Sequence, residues 1–259
     1  MRPWFAILAC LLAASPARAD MLDEIAPGAT LRVCIWPDYF GITYRNPHTR
    51  RLQGLDTDLS QELARDLGTR LAHVETSFAQ VMDDVAARRC HVAMMGIGVT
   101  PPRQERVDFS PPYLRSDVYA IATRANRGIA SWDDIDQPGR VVVVQRGTLM
   151  EPLMQQTLRH ATLRVATRPG EREHDVESGR ADVFIADYPY SRRMLLQADW
   201  ARVIAPTRTV QMTDYAYAVP KGMPRWRERV DAFVAAIKHD GRLAAAAARH
   251  DLTPIVVLD

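Results

Sequence analysis

The strongest constraint on the fold of this chain is a repeated alternation of short apolar runs with segments of helical periodicity. In the first helical segment, Leu59, Leu63 and Leu67 recur every four residues, which places them on one face of an amphipathic helix. The alternation predicts strands over residues 31–36, 71–75 and 91–99, and helices over residues 56–71 and 78–89. Strands separated by helices are typical of a parallel sheet with crossover helices, so we expect an α/β fold.

A second alternation of similar length follows the first. Its strands are predicted over residues 141–144, 163–166 and 181–186, and its helices over residues 148–158, 171–178 and 188–198. Two further helices are predicted near the C-terminus, over residues 226–238 and 242–250. The chain therefore contains two α/β units followed by a pair of helices.

Two more strands are predicted to cross between the units, over residues 119–123 and 215–219. The second crossing returns the C-terminal helices to the first unit. A chain of 259 residues is long enough for two lobes that each bury a core. We expect lobe 1 to comprise residues 20–120 and 215–259, and lobe 2 to comprise residues 121–214.

Residues 1–19 have the layout of a cleaved signal peptide. Arg2 precedes an uninterrupted apolar run over residues 4–14, and an Ala-Arg-Ala segment ends at Ala19, which is the pattern that signal peptidase cleaves. The run is about half the roughly 20 apolar residues that a membrane-spanning helix needs. A lipoprotein is the other alternative, but Cys10 lies inside the apolar run. We predict cleavage after Ala19 and a periplasmic protein.

The composition excludes some classes of function. Lys and Arg number 33 against 31 Asp and Glu, a balance that argues against a nucleic-acid-binding protein. After export, Cys34 and Cys90 remain in an oxidising compartment, either as buried free thiols or, the pairing we predict, as a disulfide. Two cysteines without a nearby histidine pair do not make a zinc site, so we expect no metal and no cofactor.

Four segments carry a resemblance to a known family. They are LRVCIWPDYFGITYRNPHTRRLQGLDTDLSQELARDLG, GVTPPRQERVDFSPPYL, GRADVFIADYP and YAYAVPKGMPRWRERVDAFVAAIKHDGRLAAAAARHDL. In order and spacing they resemble the family 3 periplasmic solute-binding proteins of polar amino-acid ABC transporters. The resemblance implies the periplasmic binding protein type II fold, in which two hinge strands join two lobes. It also implies a monomer that binds a small solute without catalysis and delivers it to an ABC permease in the inner membrane.

The resemblance implies a role for several polar residues of the cleft. Arg103, in a T-P-P-R segment, matches the arginine that binds a ligand carboxylate; the alternative is a surface arginine paired with Glu105 or Asp108. Asp187 matches the acid that receives a ligand ammonium, and the alternative is an N-cap for the following helix. Thr148, together with the preceding glycine, matches a loop that presents N–H groups and a hydroxyl to a carboxylate.

Aromatic and small residues complete the expected site. Tyr39 and Phe78 match positions that flank the ligand side chain, although Phe78 is equally compatible with the core of its own helix. Trp36 replaces an acidic residue of the basic-amino-acid binders, and Gly98 stands where the family usually has a small polar residue. With Met95 and Leu149 also counted in, the expected pocket is unusually apolar. Lysine, arginine and histidine are therefore not expected as ligands, whereas an aromatic or aliphatic acid suits such walls.

Two other functions compete with solute binding for transport. Cyclohexadienyl dehydratase has the same fold and export route, but its chemistry needs a general acid, and only Asp187 and Asp38 are candidates in this cleft. The segments LRVC and RRC also resemble accessory proteins of periplasmic quinoprotein dehydrogenases, which implies a protein partner. The sequence alone does not choose the ligand, the permease or the oligomeric state.

Overall fold

The computed structural model describes residues 20–259. The predicted signal peptide lies outside these residues, and its cleavage after Ala19 stays a prediction. The strands are β1 (Thr30–Ile35), β2 (Asp38–Tyr39), β3 (Thr43–Arg45), β4 (Leu52–Gln53), β5 (Arg70–Glu75), β6 (Val92–Gly98), β7 (Val107–Phe109), β8 (Leu114–Ser116), β9 (Val118–Thr123), β10 (Val141–Gln145), β11 (Thr162–Ala166), β12 (Val183–Asp187), β13 (Ala201–Ile204) and β14 (Thr213–Pro220).

Helices follow most of the longer strands. The α-helices are α1 (Met21–Glu24), α2 (Leu55–Asp66), α3 (Val81–Ala86), α4 (Pro101–Gln104), α5 (Met150–Thr157), α6 (Glu171–Glu177), α7 (Tyr188–Gln197), α8 (Pro224–His239) and α9 (Arg242–Arg249). Short 3-10 helices occupy Trp132–Asp134 and Thr253–Ile255. Among residues 20–259, no helix has the length and apolar character needed to cross a membrane.

The first sheet has the strand order β5-β1-β6-β14-β7, with β8 also paired to β14. Its strands β5, β1 and β6 are parallel, whereas β14 runs antiparallel to β6. Leu59 and Leu63 of α2 are buried, as the four-residue spacing predicts. The predicted order of strand, helix, strand, helix and strand is therefore confirmed in this sheet.

The second sheet has the order β11-β10-β12-β9-β13. Side chains of a strand alternate between the two faces of a sheet, and the run of valines in β10 shows this clearly. Val142 and Val144 pack in one apolar cluster with Met150 and Met154 of α5, and Val143 packs in another with Phe184. Both faces are therefore covered, as a parallel sheet with crossover helices requires.

The crossings between the sheets differ from the prediction. Strand β9 pairs only within the second sheet and β14 only within the first. The chain instead passes between the sheets in the short link from β8 to β9 and in the longer link from β13 to β14. Strand β13 and the small sheet β2-β3-β4 were not predicted, because their segments are short and lack a clear apolar period. The predicted limits of the lobes stay a prediction.

Cys34 and Cys90 form a disulfide with a Cα–Cα distance of 5.6 Å. Cys34 lies in β1, and Cys90 stands just before β6, which pairs with β1 so that Cys34 lies opposite Ala93. Both cysteines are fully buried. The predicted pairing is thus present, and it links strand β1 to the segment that leads into β6.

A buried carboxylate organises the end of β6. Asp56, in the first turn of α2, accepts hydrogen bonds from the hydroxyls of Tyr113 at 2.6 Å and Tyr217 at 3.2 Å. It also accepts the backbone N–H of Gly96 at 2.9 Å. Asp56 is 0% exposed, and burial raises the pKa of its carboxyl from 3.8 to about 7, against the opposing effect of these donors. The Asp56 carboxyl therefore loses its proton at a higher pH than an ordinary aspartate.

We expect Asp56 to make stability depend on pH. Its folded-state pKa is raised, so its contribution to the free energy of unfolding is full below about pH 3.8 and is lost as pH rises through about 7. At 1.36 kcal/mol per pKa unit, the loss is about 4 kcal/mol. Urea unfolding of the wild type and Asp56→Asn across this range measures it. The stability difference between them should change with pH, and two parallel profiles would contradict the assignment.

Candidate ligand-binding site

A small cavity lies between the two sheets. Strands β6 and β12 reach it with their carboxyl ends, where open α/β sheets bind ligands. All seven residues predicted to bind ligand line it, and so do other residues that were not predicted. The predicted residues are Trp36, Tyr39, Phe78, Gly98, Arg103, Thr148 and Asp187.

Arg103 brings a positive charge to the cavity. Its guanidinium donates one hydrogen bond to the carbonyl of Gly98 at 2.8 Å and another to the carbonyl of Gly147 at 2.9 Å. Burial lowers the pKa of Arg103 from its ordinary value. In the described part of the chain, neither Glu105, Asp108 nor any other carboxylate forms an ion pair with it. The alternative of a surface ion pair is therefore wrong.

Asp187 brings a negative charge to the opposite wall, and it is 5% exposed. Its Oδ2 accepts the hydroxyl of Tyr215 at 2.7 Å and, by a short hydrogen bond, the hydroxyl of Tyr39. Its Oδ1 accepts the backbone N–H of Tyr190 at 3.3 Å, so Asp187 caps helix α7. The N-cap role weighed for Asp187 is thus present. A role in receiving a ligand ammonium stays a prediction.

Three aromatic rings form one wall of the cavity. The ring of Phe78 lies 5.3 Å from that of Trp36 and 5.6 Å from that of Tyr39, centroid to centroid, both edge-on. The guanidinium carbon of Arg103 lies 5.9 Å from the Phe78 centroid. Aromatic side chains of this kind offer a large apolar contact area and lose little rotamer entropy on binding. The Phe78 ring lies beside the guanidinium of Arg103.

The loop around Thr148 differs from the expectation. The N–H of Gly147 donates to Glu151 at 2.7 Å, and the Thr148 hydroxyl donates to the carbonyl of Gln145 at 2.8 Å. Both donors are therefore used within the loop and its following helix. A Cβ on Gly147 would lie 2.5 Å from backbone atoms of Ala79. The glycine therefore allows the loop to touch the first-sheet half of the molecule.

Only one face of strand β6 borders the cavity. Gly96 and Gly98 line it, whereas Met95 is fully buried in the core. The expectation that Met95 lines the pocket is wrong, because alternate residues of a strand face opposite sides. A Cβ on Gly98 would lie 3.0 Å from the side chain of Leu149 and 3.1 Å from that of Thr213. A polar side chain at this position would require the side chains of Leu149 and Thr213 to move by a few tenths of an ångström.

Three polar residues of the cavity were not predicted: Tyr215, Tyr190 and Arg172. Tyr215 stands in the predicted strand at residues 215–219, where a tyrosine beside an apolar run was an available signal. Arg172 stacks on the ring of Tyr190 at 3.7 Å and pairs with Glu173 at 3.2 Å. Arg172 lies in a helix of mostly charged residues, and this composition does not indicate which side chain faces inward.

Besides the tyrosine contacts of Asp187, two further polar contacts join the two sides of the molecule. Arg103 follows the first-sheet strand β6 and bonds to Gly147, which follows the second-sheet strand β10. Outside the cavity, Arg193 of α7 forms an ion pair with Asp38 of β2 at 3.3 Å. Within residues 20–259, no group of three or more His, Cys, Asp or Glu side chains is arranged to hold a metal ion.

The comparisons with known proteins identify the family. The sequence model described as "Bacterial extracellular solute-binding proteins, family 3" matches residues 31–251. The chain belongs to this family. It is 30% identical to the cyclohexadienyl dehydratase of Pseudomonas aeruginosa over 218 residues, which are 83% of this chain and 81% of that protein. It is 24% identical to the L-cystine-binding protein of Escherichia coli K12 over 182 residues, 70% of this chain and 68% of that one.

Solved structures agree with the family. A crystal structure of an ancestral amino acid-binding protein, described as a precursor of cyclohexadienyl dehydratase, matches with a TM-score of 0.82 and 28% identity over 89% of this chain and 99% of that chain. A lysine-bound binding component of an ABC transporter from Wolinella succinogenes matches with a TM-score of 0.79 and 24% identity over 86% and 95% of the two chains. The predicted two-lobed α/β fold is confirmed.

Proposed function

We propose that this protein is a periplasmic solute-binding protein that holds a small carboxylate-bearing solute between its lobes for an ABC importer. The observation that carries the proposal is Arg103, a half-buried cleft arginine without an acidic partner in the described chain. Export through the predicted signal peptide, a monomeric state and a permease partner in the inner membrane belong to the same proposal.

The geometry around Arg103 favours a carboxylate as the group that the solute presents. A guanidinium has five N–H donors in a planar fork, and the two neutral carbonyls of Gly98 and Gly147 leave its charge uncompensated. A carboxylate can accept two parallel hydrogen bonds from such a fork and neutralise the charge. The rings of Trp36 and Phe78 then contact the rest of the solute.

A dehydratase is the second candidate, because the cyclohexadienyl dehydratase relative is 30% identical. Its chemistry needs a proton donor beside the leaving hydroxyl. Among the described residues that line the cavity, Asp187 alone carries a carboxyl group. It accepts hydrogen bonds from the hydroxyls of two tyrosines. Burial raises the pKa of Tyr39 and of Tyr215 well above 10, so neither phenol is tuned to release a proton near neutral pH. These features favour binding without turnover.

A ligand screen combined with a turnover assay tests this choice. The mature protein is heated with amino acids, organic acids and prephenate, and a ligand of the folded state raises its melting temperature. We expect carboxylates to stabilise the protein and to be recovered unchanged. Catalytic conversion of prephenate to an aromatic product would establish the dehydratase. Failure of every carboxylate, with capture of a periplasmic dehydrogenase subunit, would favour the accessory role.

A further inference from the structure

The protein itself already uses three of the roughly four lone-pair positions of the Asp187 carboxylate. Oδ2 has two lone-pair positions, and the hydroxyls of Tyr39 and Tyr215 both donate to it. Oδ1 accepts the N–H of Tyr190 at the start of helix α7. A helix N-terminus carries partial positive charge, which favours anions and disfavours cations. An ammonium arriving at Asp187 would therefore have to displace two phenols or approach beside this helix end.

The position of the Tyr39 ring depends on a glycine in strand β6. A Cβ on Gly96 would lie 2.9 Å from the Cε1 atom of Tyr39, and Gly96 has a φ of +60°, a conformation that glycine adopts at little cost. The N–H of Gly96 is held by Asp56. A glycine in this conformation thus gives the Tyr39 ring room, and the ring stays 3% exposed.

The position of Tyr215 is fixed by sheet pairing. Tyr215 lies opposite Gly98 where β14 runs antiparallel to β6, and it is 1% exposed. Burial raises the pKa of both phenols well above 10, so both remain protonated and able to donate. The two donors therefore reach Asp187 from two separate elements, β2 and β14.

We propose that the solute is a carboxylic acid without an α-ammonium group, because the tyrosine hydroxyls of Tyr39 and Tyr215 take the place of that ammonium at Asp187. This inference rests on the proposed function, since it assumes that Arg103 holds a carboxylate. The aromatic wall of Trp36 and Phe78 accommodates the apolar remainder of the acid. Asp187 thus holds the two tyrosine hydroxyls in place. It does not bind the ammonium group of an amino acid.

Matched pairs of ligands that differ only in the α-amino group test this inference. The pairs are L-phenylalanine with 3-phenylpropanoate, L-leucine with 4-methylpentanoate, and L-glutamate with glutarate. Dissociation constants are measured by calorimetry for the wild type and for the double variant Tyr39→Phe/Tyr215→Phe. Tyr119→Phe is the matched control, because Tyr119 packs against Tyr188 and is not a lining residue of the cavity.

We expect the wild type to bind the plain acid at least about tenfold more tightly than the amino acid in every pair that binds. The double variant frees Oδ2 of Asp187, and the ratio should move towards the amino acid by at least about tenfold, with no change in Tyr119→Phe. If the double variant does not fold, Tyr215→Phe should shift the ratio in the same direction.

The outcomes separate this inference from the proposed function. A wild type that prefers the amino acids, or a ratio that the tyrosine variants leave unchanged, would overturn the inference while carboxylate binding stands. If neither member of any pair binds and no other carboxylate in the screen does, the proposed function fails and the inference fails with it.

Discussion

Replacing Arg103 with alanine is expected to weaken binding of any carboxylate ligand at least about tenfold while leaving the fold intact. The variant leaves the ligand carboxylate desolvated and without its charged partner, and truncated buried charge pairs lose roughly 2–5 kcal/mol. Each 1.4 kcal/mol is about a factor of ten in the dissociation constant. The fold should survive, because among residues 20–259 the guanidinium donates hydrogen bonds only to the carbonyls of Gly98 and Gly147.

Two companion variants sharpen the result for Arg103. Arg103→Lys keeps the charge but loses the planar fork, so it should recover only part of the affinity. Arg106→Ala removes a more exposed arginine of the same segment, which pairs with Asp83, and should leave affinity unchanged. Circular dichroism and calorimetry report fold and affinity. Equal losses in Arg103→Ala and Arg106→Ala would show that the effect is not specific to the cavity.

Removing the disulfide is expected to cost about 4 kcal/mol of unfolding free energy. The bond closes a loop with a sequence separation of 56, and the chain-entropy model gives about 4 kcal/mol for a loop of that size. Cys34→Ala/Cys90→Ala removes it without placing a hydroxyl in the core, where both cysteines are fully buried. Guanidinium unfolding of the oxidised wild type and the variant measures the difference.

A reductant supplies the control for the disulfide experiment. Reducing the wild type should lower its stability towards that of the double alanine variant, whereas the variant itself should not respond. If the oxidised wild type and the variant unfold at the same denaturant concentration, the bond does not constrain the unfolded chain as the model assumes. Free thiols in unreduced, unfolded wild type would show instead that the bond does not form.

The parts of the fold with a regular apolar period could be predicted from sequence. The leucines of residues 56–71 and the valines of residues 141–144 predict a helix and a strand because a single face, or both faces, must be buried. The small sheet β2-β3-β4 was not predicted, because its strands have only two or three residues. No period can appear over such lengths.

The site was predictable where a residue follows a strand or lies in a matched motif. Asp187 and Arg103 were found in this way, because strand ends and the T-P-P-R segment mark the cleft edge. The pairing of Asp187 with Tyr215 was not, since it depends on β14 lying beside β6. The inward face of Arg172 likewise depends on how its helix packs. Contacts between distant segments carry no local signal.

The central claim, that Arg103 receives the solute's carboxylate between the two sheets, is tested most directly by the crystal structure of a complex. The tightest carboxylate from the screen is soaked or co-crystallised at saturating concentration. The account predicts that its carboxylate oxygens lie about 2.7–2.9 Å from the Arg103 guanidinium nitrogens, the usual length of a charge-assisted pair. The remainder should contact Trp36 and Phe78. A ligand bound elsewhere, or one whose carboxylate points away from Arg103, would contradict the account.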